Sequence, residues 1–191
     1  DDLSENCLSI NVFTSGVNDG KKRPVLLWMH GGAWHYGISH EHDGVIGENL
    51  ARSGDIVFCP TFTFSATANP IIYVNAIPVF IDSDYKTWNM DPEALEAAFR
   101  KYPSVKAVIV VHLYGLSADM DKIVEICSKH DVSIIEDAAE SLGTTYKGKC
   151  TGTFGDYGIF SFNGNKIITT SGGGMLVSDN EERIAKVRFW A

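Results

Sequence analysis

The fold of this chain is constrained most by the alternation of two kinds of apolar segment along its sequence. Strand-length apolar runs, such as residues 105–111, alternate with segments whose apolar residues recur at helical spacing, such as residues 120–130. This alternation predicts a mostly parallel sheet that is covered by helices on both faces, in a three-layer α/β/α sandwich. The 191 residues are enough for one sizeable domain and too few for two ordinary ones. We therefore predict a single α/β domain over residues 1–191.

One helix has clear boundary signals in the sequence. Residues 91–101 carry Asp91 at the N-cap position and Pro92 at the first helical position, and both residue types favour a helix start. The other helices are predicted at residues 45–52, 66–74 and 120–130, and from residue 180 onward. The strands are predicted at residues 8–13, 24–29, 55–59, 78–81, 105–111, 132–135, 158–162 and 173–177.

The composition argues against several classes of partner. The 24 acidic side chains outnumber the 16 basic ones, for a net charge of −8, whereas nucleic-acid binding needs a clustered basic surface. No apolar run approaches the ~20 residues that cross a bilayer, so we expect no membrane span. The four cysteines are dispersed, which indicates free thiols in a reducing compartment and a cytoplasmic location. Four histidines within residues 30–42 lack the spacing of a zinc site, so no metal is predicted.

A carboxylate follows the strand predicted at residues 132–135. Asp137 stands at the C-terminal end of that strand, and ligands of open α/β sheets bind at this edge. A carboxylate in this place can pair with the protonated ring nitrogen of a pyridine cofactor, which lets the ring act as an electron sink. An Asp after a strand is also common as a helix cap or a turn residue, so Asp137 alone does not decide between these interpretations.

A second candidate group is Lys166, which lies in a small-residue loop after the strand predicted at residues 158–162. A lysine that binds a carbonyl cofactor covalently must be partly desolvated, because its neutral amine must be accessible near neutral pH. Ser161 can donate a hydrogen bond to a phosphate, and the glycine run at residues 172–174 permits a close approach of the backbone to a ligand or to another chain. Taken alone, a solvated loop lysine and an ordinary turn are the default interpretations.

Six ordered segments together resemble a known enzyme family. They are CPTFTFSATANPIIYVNAIPVFIDSD at residues 59–84, WNMDPEALEAAF at 88–99, VHLYG at 111–115, EDAAESLGTTYKGK at 136–149, GTFGDYGIFSFNGNK at 152–166 and SGGGMLV at 171–177. In this order they resemble the DegT/DnrJ/EryC1/StrS family. These are fold-type-I pyridoxal phosphate (PLP) enzymes that transfer an amino group from glutamate to a keto-sugar nucleotide. The likeness covers residues 55–191 and is nearest to bacterial UDP-4-keto-sugar aminotransferases.

The resemblance implies a role for five residues. Lys166 would hold PLP covalently and act as a proton shuttle, and Glu140 would sit beside the cofactor near the sugar. Asp137 would form a salt bridge with the pyridine nitrogen. Phe64 would stack on the cofactor ring, and Ser161 would bind the phosphate. The resemblance therefore implies PLP as the cofactor, a nucleotide sugar as the substrate, and the large domain of a fold-type-I PLP enzyme as the architecture.

The first part of the chain resembles a different family. SENCLSINVFT at residues 4–14, RPVLLWMHGGAWHYG at 23–37 and LARSGDIVF at 50–58 follow the order of type-B carboxylesterases. This resemblance implies an α/β-hydrolase-like strand pair at the N-terminus. It also places Gly31, Gly32 and Ala33 in an oxyanion hole, where backbone N–H groups stabilise a developing negative charge. An esterase further needs a nucleophile elbow, G-x-S-x-G, and only the segment around Ser141 comes near that pattern.

Two partial families in one chain predict a chimera. The small-residue loop that anchors the cofactor phosphate in the aminotransferase family does not stand before Gly54. We therefore expect an engineered or recombined chimera, esterase-like over residues 1–54 and aminotransferase-like over 55–191, with an incomplete PLP site and without full catalytic activity. The alternatives are a PLP-binding protein with residual aminotransferase activity and an ester hydrolase. Apolar surface that the family covers by dimerisation also predicts self-association.

Overall fold

The computed structural model describes residues 55–190 of the chain. The α/β-hydrolase-like strand pair predicted at residues 8–13 and 24–29 lies outside these residues, as does the helix predicted at residues 45–52. Within residues 55–190, no helix is both long enough and apolar enough to cross a membrane.

The described residues contain strands and helices in alternation, as the sequence predicts. The strands are β1 (Ile56–Pro60), β2 (Ile77–Ile81), β3 (Val105–Val111), β4 (Ser133–Asp137), β5 (Thr145–Tyr146), β6 (Lys149–Cys150), β7 (Tyr157–Ser161) and β8 (Gly174–Val177). The α-helices are α1 (Asn69–Tyr73), α2 (Pro92–Lys101), α3 (Met120–Lys129) and α4 (Glu181–Trp190). Asp91 caps α2 as predicted, because its carboxylate accepts a hydrogen bond of 2.9 Å from the backbone N–H of Glu93.

Six of these strands form one sheet in the order β2–β1–β3–β4–β7–β8. The first five are parallel to their neighbours, and β8 runs antiparallel to β7. The predicted mostly parallel sheet is therefore confirmed. Parallel pairing brings the C-terminal ends of β1, β3, β4 and β7 to one edge of the sheet. The loops that follow these strands meet at that edge, where α/β proteins bind their ligands.

Helices cover both faces of the sheet. Successive side chains of a strand point to opposite faces, so each central strand offers apolar side chains to helices on both sides. On one face, Phe58, Val108 and Ile134 pack in the main core with α2 and α3. On the opposite face, Cys59 and Ile109 pack with α1. Strands that are buried on both faces have near-continuous apolar sequences, as β3 does from Ala107 to Val111. This arrangement confirms the three-layer α/β/α architecture.

The single helix predicted at residues 66–74 is wrong. The chain instead forms a 3₁₀ helix, Ser65–Thr67, followed by α1. Pro70 explains the break, because it has no amide hydrogen to donate to the carbonyl of Ala66, as a continuous α-helix would require. In the first turn of α1 the missing donor costs nothing, since that amide has no partner in the helix. Strand β4 also ends later than predicted, so Asp137 is its last residue and does not follow it.

The sequence did not predict the two-stranded hairpin formed by β5 and β6. Its two loop residues, Lys147 and Gly148, have φ angles of 50° and 85°. Two consecutive positive φ angles are the mark of a type I′ turn, which matches the twist of the flanking strands. The usual signal for this turn is Asn-Gly or Asp-Gly. Lys147 adopts the positive φ that this turn requires, but lysine is not a residue type that predicts the turn.

Candidate functional site

Asp137 ends β4 at the C-terminal edge of the sheet, and two hydrogen bonds orient its half-buried carboxylate. Its Oδ2 accepts a hydrogen bond of 2.7 Å from the hydroxyl of Thr67, and its Oδ1 accepts one of 3.2 Å from the backbone N–H of Ala139. The hydroxyl of Thr63 lies 2.7 Å from that of Thr67. These bonds use two of the roughly four acceptor positions of a carboxylate. Asp137 can therefore accept a further donor from a ligand at this edge.

Lys166 lies mostly out of solvent, beside Glu140. Its side chain is 15% exposed, and its Nζ is 3.6 Å from Oε1 of Glu140. The second oxygen of Glu140, Oε2, accepts a hydrogen bond of 3.0 Å from the backbone N–H of Tyr114. Tyr114 has a φ of 49°, an uncommon left-handed conformation for a residue with a side chain. The structure thus shows a partly desolvated amine with a fixed carboxylate next to it, which differs from a solvated loop lysine.

Phe64 immediately precedes the 3₁₀ helix that contains Thr67, and 77% of its surface is exposed. The hydrogen bond from Thr67 ties this segment to Asp137. An exposed aromatic ring therefore stands on the same short segment that orients the carboxylate. A large apolar side chain exposed in this way beside a polar site is available for stacking against a flat ligand.

Ser161 is the last residue of β7, two positions after Ile159, which is the strand neighbour of Asp137. Its Oγ accepts a hydrogen bond of 3.3 Å from the backbone N–H of Asn163. A hydroxyl has a single hydrogen to donate, and this bond does not use it. Ser161 can therefore donate to an anionic oxygen at the same edge of the sheet as Asp137.

The esterase-like residues predicted from the sequence have a different outcome. Gly31, Gly32 and Ala33 lie outside the described residues. Ser141, in the segment nearest to a nucleophile elbow, is fully buried, and its Oγ is 2.9 Å from the hydroxyl of Thr151. A catalytic nucleophile must reach its substrate, so the buried position of Ser141 argues against that role.

Sequence reasoning missed three residues that hold the site together. Thr67 and Tyr114 contact Asp137 and Glu140 across 70 and 26 positions of the chain, and no local pattern announces such distant contacts. Glu136 did leave a signal. It occupies an inward position of a strand that is otherwise apolar on that face, and it is fully buried. A buried carboxylate requires partners, which makes such a position a candidate for a hydrogen-bond network.

Within residues 55–190, no cluster of His, Cys, Asp and Glu could hold a metal ion.

Comparison with protein families matches residues 45–190 to the DegT/DnrJ/EryC1/StrS aminotransferase family. The chain belongs to this family. The match comprises 146 of the 191 residues. Residues 1–61 match the carboxylesterase family, so both matches include residues 45–61.

Relatives of this DegT/DnrJ/EryC1/StrS family member are much longer than the part they share with it. EpsN of Bacillus subtilis, which is named for a PLP-dependent aminotransferase, is 65% identical over 144 residues, or 73% of this chain and 37% of EpsN. GDP-perosamine synthase of Caulobacter vibrioides is 47% identical over 136 residues, or 71% of this chain and 36% of the synthase. An aminotransferase structure from Brucella abortus superposes with a TM-score of 0.67 at 38% identity, over 71% of this chain and 38% of that one. The chain spans little more than a third of the length of these relatives.

Aminotransferases of the DegT/DnrJ/EryC1/StrS family depend on PLP. The described part of this family member fits that cofactor in its chemistry. It presents an oriented carboxylate in Asp137, a partly desolvated amine in Lys166, a hydroxyl in Ser161 and an exposed ring in Phe64. These are the groups that a pyridine nitrogen, an aldehyde, a phosphate and a flat ring require.

Proposed function

We propose that residues 55–190 form the PLP-binding core of a nucleotide-sugar aminotransferase. The observation that carries this proposal is the placement of Lys166. Its amine lies 3.6 Å from Oε1 of Glu140, and only 15% of the lysine side chain is exposed. Lys166 follows β7, and β4, which pairs with β7, ends in the oriented carboxylate of Asp137. The substrate class is inferred from relatives such as GDP-perosamine synthase, which is named for a nucleotide sugar.

Four side chains would hold the cofactor. The amine of Lys166 would bind the aldehyde carbon, and the carboxylate of Asp137 would accept the proton of the pyridine nitrogen in a hydrogen bond. Ser161 would donate its hydroxyl hydrogen to the phosphate, and Phe64 would cover one face of the ring. Bound PLP supplies an electron-withdrawing ring that stabilises negative charge at the carbon next to the amino group in transfer.

Glu140 and Lys166 would control a proton at Nζ of the lysine. Transfer of an amino group between two substrates requires a proton to leave one carbon and to arrive at another. The amine of Lys166 is placed to take up and return that proton. Oε1 of Glu140 lies 3.6 Å from that amine, and the bond from Tyr114 holds this carboxylate in place beside it. The pair therefore places two groups that can exchange a proton next to the cofactor position.

The proposal is tested by mixing the purified chain with PLP and recording its visible absorbance. Reduction with borohydride and peptide mass spectrometry then locate the covalent adduct. We expect a visible band and an adduct on Lys166, and we expect both to be lost in Lys166→Ala. Lys106→Ala is the matched control, because Lys106 is exposed and lies near the start of β3, away from the C-terminal edge. Adducts scattered over several lysines, unaffected by Lys166→Ala, would refute the proposal.

Amino transfer is tested separately from cofactor binding. The PLP-loaded chain is incubated with glutamate, and release of 2-oxoglutarate is measured with a coupled enzyme. We expect Glu140→Gln to slow this release by about 10²-fold or more, which is typical of the loss of a group that handles a proton. We expect PLP to bind to Glu140→Gln within a few-fold of wild type. An equal loss of binding and turnover would show that Glu140 holds the cofactor and does not handle the proton.

We further propose that residues 1–54 derive from a carboxylesterase, which makes the chain a chimera whose PLP core lacks full catalytic activity. The match of residues 1–61 to the carboxylesterase family supports the origin of the segment, and the burial of Ser141 argues against hydrolase function. We expect no hydrolysis of p-nitrophenyl acetate above the background of heat-inactivated protein. Turnover that is lost in Ser141→Ala would contradict this expectation.

A further inference from the structure

Thr67 joins two parts of the candidate site that are far apart in sequence. Its side chain is buried in the 3₁₀ helix between β1 and α1, with the residue 4% exposed. The hydroxyl donates a hydrogen bond of 2.7 Å to Oδ2 of Asp137, which lies 70 positions further along the chain. A second hydroxyl, that of Thr63, lies 2.7 Å from Oγ1 of Thr67.

The direction of these hydrogen bonds follows from the number of hydrogens available. A hydroxyl carries one hydrogen, and that of Thr67 is donated to the carboxylate. The contact between the two threonines therefore requires Thr63 to donate and Thr67 to accept. In such a chain each bond polarises the next, so the bond from Thr63 strengthens the bond that reaches Asp137.

The side-chain hydroxyl of Thr67 is not needed for the local backbone. The 3₁₀ turn is closed by backbone bonds, from Thr67 N to Phe64 O and from Ala68 N to Ser65 O, both of 3.0 Å. Helix α1, which follows, is anchored by its apolar residues, of which Ile71 is buried in the core. The backbone of this turn therefore does not need the Thr67 hydroxyl, and the one hydrogen of that hydroxyl is donated to Asp137.

We infer that Thr67, backed by Thr63, is a positioning residue that sets the orientation of the Asp137 carboxylate toward the cofactor ring. The inference rests on the proposed PLP-binding function. The same hydrogen bond fixes the segment that carries Phe64 relative to Asp137. Thr67 therefore sets the relative placement of the two side chains that would meet the pyridine ring, one at its nitrogen and one at its face.

The test compares substitutions that keep and remove the hydroxyl. Thr67→Val replaces the hydroxyl by a methyl of similar size, and Thr67→Ser keeps it. We expect the Kd for PLP to rise about 10-fold in Thr67→Val, as for loss of a hydrogen bond to a charged group, and about 3-fold in Thr63→Val. We expect Thr67→Ser to remain within about 3-fold of wild type, and the visible band of bound PLP to change its pH dependence only in the two valine variants.

Thr87→Val is the matched control. Thr87 also donates its hydroxyl to an aspartate, at 2.9 Å to Asp84, in the connection between β2 and α2. The substitution removes a bond of the same kind away from Asp137, so we expect no change in PLP affinity. Urea unfolding of all variants establishes that each remains folded under the assay conditions.

A measurement without cofactor separates failure of the inference from failure of the proposed function. Carboxyl-¹³C aspartate labelling, with assignment from Asp137→Asn, reports the Asp137 carboxylate in the PLP-free chain. We expect its chemical shift at pH 7 to move in Thr67→Val and to stay near the wild-type value in Thr67→Ser. A wild-type chain that binds no PLP would overturn the proposed function and, with it, the positioning role. Wild-type PLP binding with an unchanged Kd, spectrum and carbon shift in Thr67→Val would overturn the inference alone.

Discussion

Nε2 of His112 lies 2.8 Å from Oε2 of Glu136, and neither side chain is exposed. Nδ1 of His112 accepts a hydrogen bond of 3.2 Å from the backbone N–H of Ala118, so the ring proton is on Nε2 and is donated to Glu136. Backbone N–H groups of Gly152 and Gly155 donate to the same carboxylate, each at 2.7 Å. One buried carboxylate therefore joins the end of β3, strand β4 and the loop before β7. Asp137 is the next residue along β4, so this network fixes the backbone that carries the Asp137 carboxylate.

Removal of the Glu136 charge is expected to destabilise the chain strongly. Oε1 accepts from the backbone N–H groups of Phe154 and Gly155, and Oε2 accepts from His112 and Gly152. In Glu136→Gln, one of these oxygens becomes an NH₂ group, whichever way the amide is turned. Two donors, each buried or partly buried, then lose their acceptor, at about 1–3 kcal/mol each. We expect the free energy of unfolding in urea to fall by about 3 kcal/mol.

Glu125→Gln is the control for this substitution. Glu125 forms an ion pair with Lys129 on the exposed surface of α3, with both side chains more than half exposed. Such pairs contribute little, so we expect a change within about 0.5 kcal/mol. Equal effects of the two substitutions would show that the buried network does not hold the fold together.

Acid should weaken the chain through the same carboxylate. Burial raises the pKa of Glu136, but the hydrogen bonds from His112 and from Gly155 and Gly152 outweigh it and hold the pKa below the ordinary value of 4.5. The folded state then binds fewer protons than the unfolded state. The stabilisation is present above pH 4.5 and is lost as the pH falls through the folded-state pKa. We expect the difference in unfolding free energy between wild type and Glu136→Gln to shrink as the pH falls below 4.5. A difference that stays constant down to pH 3 would contradict this.

Two glycines near the site are expected to respond in opposite ways to alanine. A Cβ on Gly158, at the second position of β7, would lie 1.9 Å from the carbonyl oxygen of Gly152, so the backbone would have to move. We expect Gly158→Ala to cost about 3 kcal/mol of unfolding free energy, as severe overpacking does. A Cβ on Gly164 meets no atom within 4 Å. We expect Gly164→Ala to be neutral or to stabilise by about 0.5 kcal/mol, because it restricts the unfolded chain. Urea unfolding of the two variants decides whether the strand and the loop before it are packed as described.

The elements with strong local signals were predictable from the sequence. Helix α2 was predicted because its cap and its first-turn proline are adjacent in the chain. Strand β3 was predicted because a strand buried on both faces is mostly apolar, as residues 107–111 are. The break before α1 was missed, although Pro70 carried the signal for it. The hairpin of β5 and β6 was missed because Lys147 adopts a turn conformation that its residue type does not announce.

The candidate site was predictable only in part, because some of its contacts join distant parts of the chain and leave no local signal. The strand pattern placed Asp137 at the end of one strand and Lys166 in the loop after another, and resemblance to a family assigned their roles, which remain predictions. The groups that orient them, Thr67 for Asp137 and the backbone of Tyr114 for Glu140, act through single contacts between distant parts of the chain. Such contacts exist only once the strands are paired, so no periodicity or spacing in the sequence carries them.

Cysteine reactivity provides a check on the packing of the sheet. Cys59 in β1 and Cys127 in α3 are buried, and burial raises the pKa of each thiol to about 12, whereas Cys150 is exposed. At pH 8 a thiol with that pKa is thiolate in on the order of one molecule in 10,000, and the thiolate is the reactive form. We expect iodoacetamide to alkylate Cys150 in the native chain and to reach Cys59 and Cys127 only in urea, as measured by peptide mass spectrometry. Because Cys59 packs between the sheet and α1 beside Ile109, rapid native labelling of Cys59 would show that α1 does not cover this face of the sheet.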